Sequence, residues 1–370
     1  MVWQESPQLS RSWEKLFGGT MMFTNLCCIL LSIITVVHHN FGYLGLISSS
    51  QTDLPVQSTN QEDVDCSNFK FLAPRQKELC SKETKLLQVI SEGAKRGIQE
   101  CQTQFSYRRW NCTTFNSTDV FGKVLQLKTR ETAYIYAIQS AGIMYAVTKA
   151  CARGELERCG CDTEVRQKDT NGQFEWGGCS ENTGYGARFS KEFVDTNERR
   201  TSDNGLMNLW NNEAGRKTAQ SQMDLVCKCH GVSGSCSVRI CWKKMRNFHA
   251  IGKALKEKFD GASRVRFLQN KRKLKRINKD MKKPTKRDLV YLQESPDFCN
   301  RNPEYGSLGT QGRKCNRTSY GLDGCTLMCC GRGHYTIIKE IKEDCDCKFV
   351  WCCRVDCKRC THIVEENYCN

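Results

Sequence analysis

Cysteine governs what this chain can become. There are 26 in 370 residues, and twelve of them crowd between Cys299 and Cys369. A share of roughly 7 % approaches that of a disulfide scaffold. A reducing cytosol keeps thiols free, so such a chain belongs in an oxidising compartment unless its thiols bind metal. Metal is the weaker account. Only 6 histidines occur, and the clear pair with zinc-finger spacing, Cys357-Lys-Arg-Cys360, lies inside a crowd of other cysteines. We therefore expect oxidised export and no metal. Between Cys299 and Cys369 apolar side chains are too sparse for an ordinary core, so covalent bonds must hold that region.

An export route is written near the start. Leu26–Val37, LCCILLSIITVV, is an apolar run of about a dozen residues, short of the ~20 that a membrane helix needs and suited to a signal-peptide core. Residues 1–47 are expected to be an N-terminal extension and signal peptide, with 48–65 a polar mature N-terminus. Removal would discard Cys27 and Cys28 and leave an even set of 24 from 26. The net charge of +16 favours anionic partners. Export excludes nucleic acid and leaves sulfated glycans or acidic head groups.

The stretch that carries the chemistry is Cys227 to Trp242, CKCHGVSGSCSVRICW. Cys227 and Cys229 stand two apart and share one face of a strand. Gly231 and Gly234 bracket Ser233 and are expected to supply the freedom for a tight reversal. The reading is a disulfide-pinned β-hairpin that holds Ser233 and Ser235 at its tip. Nested bonds Cys227–Cys241 and Cys229–Cys236 do not share one antiparallel register, which predicts a bulge or a splayed ladder. A serine hydrolase is the rival reading, with His230 as base. Yet G-V-S-G-S is not a nucleophile elbow, and it lies between cysteines rather than between a strand and a helix. No enzyme is expected. A cystine-rich structural or toxin-like protein would have no use for a small-residue serine loop.

Helical spacing recurs around it. Leu79, Leu86, Leu87, Ile90, Ala94 and Ile98 predict one amphipathic helix after Pro74. Residues 131–153 are apolar nearly all round, so that helix is expected in the interior. Two more are expected over 185–198 and 204–225. In the second, Asn211 and Asn212 read as a solvated face. A short one is expected over 248–259. Then composition breaks. Arg264 to Arg287 carries twelve Lys or Arg and one acid, Asp280, and such a block is expected to stay extended or disordered as a linker. Phe349, Val350 and Trp351 fall where a second hairpin would turn, with no core beneath them. Aromatics there suggest a contact surface.

C-K-C-H-G-V-S-G-S-C at Cys227–Cys236 resembles the signature of the Wnt family of secreted signalling proteins. YRRWNC at Tyr107, FEWGGCSEN at Phe174, GLDGCTLMCCGRGH at Gly321 and CDCKFVWCCRVDCKRC at Cys345 are also similar to family phrases. The likeness spans Cys66 to Asn370. It implies an α+β, disulfide-rich fold with a helical domain over 66–262 bearing the hairpin 227–242 as a thumb. A basic linker over 263–287 and a cystine-rich β-hairpin domain over 288–370, bearing an index finger, would follow. It implies that Ser233 carries an O-linked palmitoleate added by the acyltransferase Porcupine. Val232, Phe349, Val350 and Trp351 would then contact the cysteine-rich domain of Frizzled receptors. It pairs Cys66–Cys80, Cys101–Cys112, Cys151–Cys159, Cys161–Cys179, Cys227–Cys241 and Cys229–Cys236. In the C-terminal part it pairs Cys299–Cys330, Cys315–Cys325, Cys329–Cys369, Cys345–Cys360, Cys347–Cys357 and Cys352–Cys353. Further partners implied are LDL-receptor-related co-receptors, the carrier Wntless, and heparan sulfate on Lys271, Arg272, Lys273, Lys275, Arg276, Lys282 and Lys283. Asn111, Asn116 and Asn316 head glycosylation sequons, the first and third at family positions. Beyond the acyl chain and N-glycans no cofactor is expected. The destination is the extracellular space and matrix, reached through the endoplasmic reticulum.

Overall fold

The computed structural model describes residue 66, residue 69 and residues 72–115 and 120–370. The signal-peptide reading, the polar segment 48–65 and Asn116 lie outside the described residues.

The body is built round one buried helix. α3 (Arg130–Ala152) is nearly apolar throughout, and from Ala133 to Ala150 all but Tyr145 and Lys149 are buried. It packs against α2 (Leu86–Phe105), α4 (Thr183–Val194), α5 (Asp203–Ser221) and α6 (Phe248–Asp260). Closeness comes from glycine. A Cβ on Gly142 would stand 2.4 Å from the Gly93 carbonyl, and one on Gly215 would stand 2.0 Å from that of Ala137. Phe105 closes the lower core, edge-to-face with Trp110, Tyr134 and Phe259 at 4.8–4.9 Å. The helix expected after Pro74 is two helices, α1 (Pro74–Cys80) and α2. The chain turns between them, and the Cys66–Cys80 disulfide ties off the first.

Asn211 and Asn212 are fully buried rather than solvated. Asn211 acts as a surrogate strand. Its Nδ2 donates to the Val290 carbonyl and its Oδ1 accepts the Val290 N–H, both at 2.9 Å. Asn212 Nδ2 donates to Asp195 at 3.0 Å. An unpaired buried amide is costly, so these bonds are what allow polar residues inside.

The basic block is ordered, against expectation. β4 (Ser263–Leu268) and β5 (Lys273–Arg276) form an antiparallel hairpin, and β4 also pairs in parallel with β6 (Val290–Tyr291). Its apolar inner side explains this. Val265 is buried with Met207 and Val290, and Leu274 packs beside Trp210. Two apolar anchors and a shared sheet outweigh the repulsion that the charges alone predict.

Beyond it the chain is held by sulfur. A short antiparallel pair, β7 (Arg301–Asn302) and β8 (Ser307–Leu308), opens the region. The small core is Cys315, Cys325, Met328, Cys329 and Cys369. From it rises one long hairpin, β10 (His334–Val350) against β11 (Arg354–Cys369), with β9 (Lys314–Cys315) on the far side of β11. Arginines lock this module to the helical body. Arg313 donates to the carbonyls of Ser106, Arg108 and Arg109, and Arg109 donates to that of Leu327. Among the described residues no helix is long and apolar enough to cross a membrane.

Candidate functional site

Two exposed tips stand out from this body. The first begins where α5 ends, since β2 (Met223–Cys229) starts two residues after Ser221. It pairs with β3 (Arg239–Met245) in one unbroken register from Met223↔Met245 to Cys229↔Arg239. The outer edge of β3 is also occupied. β1 (Glu175–Trp176) pairs with it in parallel, and Lys243 N–H donates to Ser180 Oγ at 3.1 Å. Buried Glu181 accepts from Met245 N–H at 2.7 Å and from Lys149 Nζ of α3 at 2.7 Å. The hairpin is therefore bolted to the central helix.

Cys227–Cys241 links directly opposed residues. Cys229–Cys236 ties the last ladder residue of β2 to the loop. The predicted bulge is thus absent. The loop absorbs the mismatch, because Cys236 belongs to no strand. Four backbone bonds shape that loop: His230 N–H to Val238, Gly231 N–H to Ser235, Gly234 N–H to Gly231 and Ser235 N–H to Val232, at 2.7–3.1 Å. The left-handed residues are Ser233 (φ 57°) and Gly234 (φ 75°). Gly231 is needed for space instead, because its φ is −81° and a Cβ there would meet the Ser235 and Ser237 hydroxyls at 2.2 Å. A serine in the left-handed region costs about 1–2 kcal/mol, and the surrounding cross-links hold it there. Val232 is 89 % exposed. Ser233 is exposed, and among the described residues no hydrogen bond engages its hydroxyl. Ser235 and Ser237, in contrast, bond each other at 3.0 Å. His230 is exposed and makes no side-chain bond to Ser233.

The second tip closes β10–β11. Cys345–Cys360 and Cys347–Cys357 cross it, and the register shifts between Cys345 and Lys348 with Asp346 at φ 47°. Phe349 pairs with Val355 and Val350 with Arg354. Phe349 is 70 % exposed and Trp351 89 %. The turn corrects one expectation: Cys352 and Cys353 are free thiols, with Sγ atoms 3.6 Å apart. Both occupy the left-handed region, where the turn backbone does not bring the sulfurs to bonding distance. The other eleven expected disulfides are present. Sulfurs of Cys315, Cys329 and Cys369 gather within 4.8 Å. Each is already consumed in a disulfide, so none offers a thiolate to a metal.

Asn316 is exposed, and its side-chain oxygen accepts from Thr318 N–H and Oγ1 at 3.0 and 2.9 Å. Asn111 is half-buried, and Thr113 Oγ1 donates to its oxygen. Lys271, Arg272, Lys273, Lys275, Arg276 and Lys283 line a groove against α5, and Lys282 lies in the same loop. Sequence reading missed the residues that complete it. Lys191 and Arg200 converge from distant segments, and Lys286, from the basic block itself, sets its Nζ 4.0 Å above the Trp210 ring.

A helical body and a cystine-held module, each presenting one exposed, disulfide-pinned hairpin tip, define a disulfide-rich α+β protein. The sequence profile of the wnt family matches residues 68–370. Over 312 residues the chain is 51 % identical to Protein Wnt-5a of Mus musculus and of Homo sapiens, covering 82 % of each chain. It is 50 % identical over 313 residues to Protein Wnt-5b of Ambystoma mexicanum, covering 82 % of this chain and 87 % of that one. A chain in the solved structure of human WLS in complex with WNT8A matches with a TM-score of 0.57 and 38 % identity, over 78 % of this chain and 95 % of that one. This chain belongs to the Wnt family, whose members are secreted ligands of Wnt signalling in development.

Proposed function

We propose that the chain is an exported ligand whose Ser233 hydroxyl carries a palmitoleoyl ester and that this lipid, with Val232, enters a groove of Frizzled cysteine-rich domains. One observation carries the reading. A serine is held left-handed, unbonded and exposed at the end of a hairpin fixed by two disulfides and by α3. Burying an acyl chain contributes ~0.8 kcal/mol per methylene, so a lipid can dominate the affinity of so small a loop. Phe349, Val350 and Trp351 form the second grip.

In this reading Porcupine acylates Ser233, and Wntless carries the lipidated chain outward. That route agrees with the likeness to the chain in the WLS–WNT8A structure. LDL-receptor-related co-receptors complete the receptor. Glycans occupy Asn111 and Asn316, and heparan sulfate takes the basic groove with counterion-sensitive affinity. Mass spectrometry of the peptide from Gly231 to Arg239 tests the reading. A hydroxylamine-sensitive unsaturated acyl group on Ser233 is expected. In Ser233→Ala we expect receptor binding to be lost while the disulfide pattern and circular dichroism persist. An active exported protein with a bare Ser233, or with the lipid elsewhere, would overturn it.

A further inference from the structure

The β10 strand leaves a long edge with nothing on it. In its sheet the order is β10–β11–β9, so among the described residues β10 is paired on one side alone. It runs for 17 residues, and all but one of them are exposed. A long free edge presents unpaired N–H and C=O groups and is a template for another strand. Its centre reads Lys339-Glu340-Ile341-Lys342-Glu343. Turned end for end about Ile341, this stretch meets itself with opposite charges at every charged position. Lys339 falls opposite Glu343, and Glu340 opposite Lys342.

We infer that two copies of this chain associate through their β10 edges, antiparallel and two-fold symmetric about Ile341. Three features of the edge support it. First, opposed residues in an antiparallel pair lie on the same face, so these charges meet side by side. Second, Glu340 and Lys342 have no charged partner among the described residues, and across β11 they face only Ile363 and Thr361. Lys339 already pairs with Glu366, and Glu343 with His362, so the free pair is the one that a second copy would engage. Third, alternatives are penalised. Parallel in-register stacking sets Lys on Lys and Glu on Glu. Moving the antiparallel centre by half a residue opposes Lys339 and Lys342. Moving it to Lys342 opposes Glu340 and Asp344. Like charges directly opposite are destabilising.

The match ends at Ile338 against Asp344, so the pairing is confined to the five residues 339–343. A two-fold contact of this kind closes, because each partner's β11 and β9 cap the far side. The result is a discrete dimer and not a fibre. So short a contact is weak and salt-sensitive.

The test is sedimentation velocity on the glycosylated full chain in detergent, which suppresses lipid-driven clustering. A concentration-dependent dimer that weakens at high salt is expected. Glu340→Lys and Lys342→Glu should each weaken it about tenfold, because each sets two like-charged pairs face to face. Mixed in equal amounts, the two variants should form a heterodimer. The introduced lysine of one copy then opposes the introduced glutamate of the other, and the remaining native Lys342 opposes the remaining native Glu340. Hydrogen exchange should show protection of residues 339–343 only in the associating samples. A wild-type monomer at every concentration, single variants that associate as well as wild type, or a mixture no more associated than its components would each overturn the inference.

Discussion

The β2–β3 and β10–β11 hairpins each end in an exposed tip, a serine loop beside Val232 in the first and Phe349 to Trp351 in the second, and they hold it by different means. β2–β3 has seven residues a side, grows directly out of α5, and has its second edge filled by β1 and by Ser180 and Glu181. β10–β11 is more than twice as long, exposed over most of both strands, and held by two cross-strand disulfides and its cystine base. A two-stranded ribbon alone is marginal in water. The comparison separates two ways of fixing a tip: bracing it against a core, or stapling it along its length. Bracing gives a precise position for one serine. Stapling gives reach, and leaves an edge open to other chains.

The largest expected loss comes from cutting the brace. Glu181→Ala leaves half-buried Lys149 without its partner and Met245 N–H without an acceptor. Breaking a buried pair costs about 3–5 kcal/mol, and the partial exposure of Lys149 sets this one toward the lower end. Thermal unfolding of the purified protein should show it. Amide exchange should rise across 239–245 while the second hairpin stays as it was. The next step sharpens the contrast. Cys227→Ala/Cys241→Ala and Cys345→Ala/Cys360→Ala remove bonds of nearly equal span, 14 and 15 residues, each worth ~3 kcal/mol by loop entropy. Local protection should survive in the braced hairpin and collapse in the outer half of the stapled one. Equal collapse in both would remove the distinction.

Much of this was legible because covalent and apolar patterns are local. Residues 131–153 announce a buried helix by having no polar face. The Cys227 motif announces a pinned loop by the sizes of its residues. What escaped the sequence depends on partners far along the chain. Asn211 reads as solvated until Val290, 79 residues away, arrives beside it as a strand needing hydrogen bonds. The basic block reads as disorder because Val265 and Leu274 are too few to signal burial without Met207 and Trp210 beneath them. In the tip, the sequence points to Gly231 and Gly234 for the freedom of a tight reversal. The backbone angles put the left-handed turn on Ser233 and Gly234, leaving Gly231 to make room.

Acidity should move one carboxyl in each region in opposite directions. Burial holds the Glu198 carboxyl up at about 7, with Asn208 and Tyr136 bonding to it in partial compensation. Folded protein therefore keeps this proton where unfolded chain has lost it. The Glu198 contribution is most favourable below the ordinary carboxylate range and fades as pH rises toward 7. Glu366, at the base of the second hairpin, is held down at about 2 by hydrogen bonds from Lys314 and Lys339. Its contribution is full above the ordinary range and fades as pH falls from there toward 2. Glu198→Gln should gain roughly 1–2 kcal/mol at neutral pH, and the gain should vanish near pH ~4.5. Melting curves across pH ~4–8 check this. A gain independent of pH would mean that packing, and not charge, sets the effect.

The smallest effect is expected at the extreme end of the stapled hairpin. Cys352→Ser/Cys353→Ser alters two exposed thiols that join nothing, and surface changes of this kind fall within about 0.5 kcal/mol. Stapling works through the loop it closes in the unfolded chain, so adjacent residues would add little even if bonded. Alkylation of the native protein followed by mass analysis should label both sulfurs. A pair that resists alkylation until it is reduced would show that the turn is cross-linked. The stapled hairpin would then owe the placement of Phe349 and Trp351 to a constraint at the tip itself, and not only to the two bonds behind it.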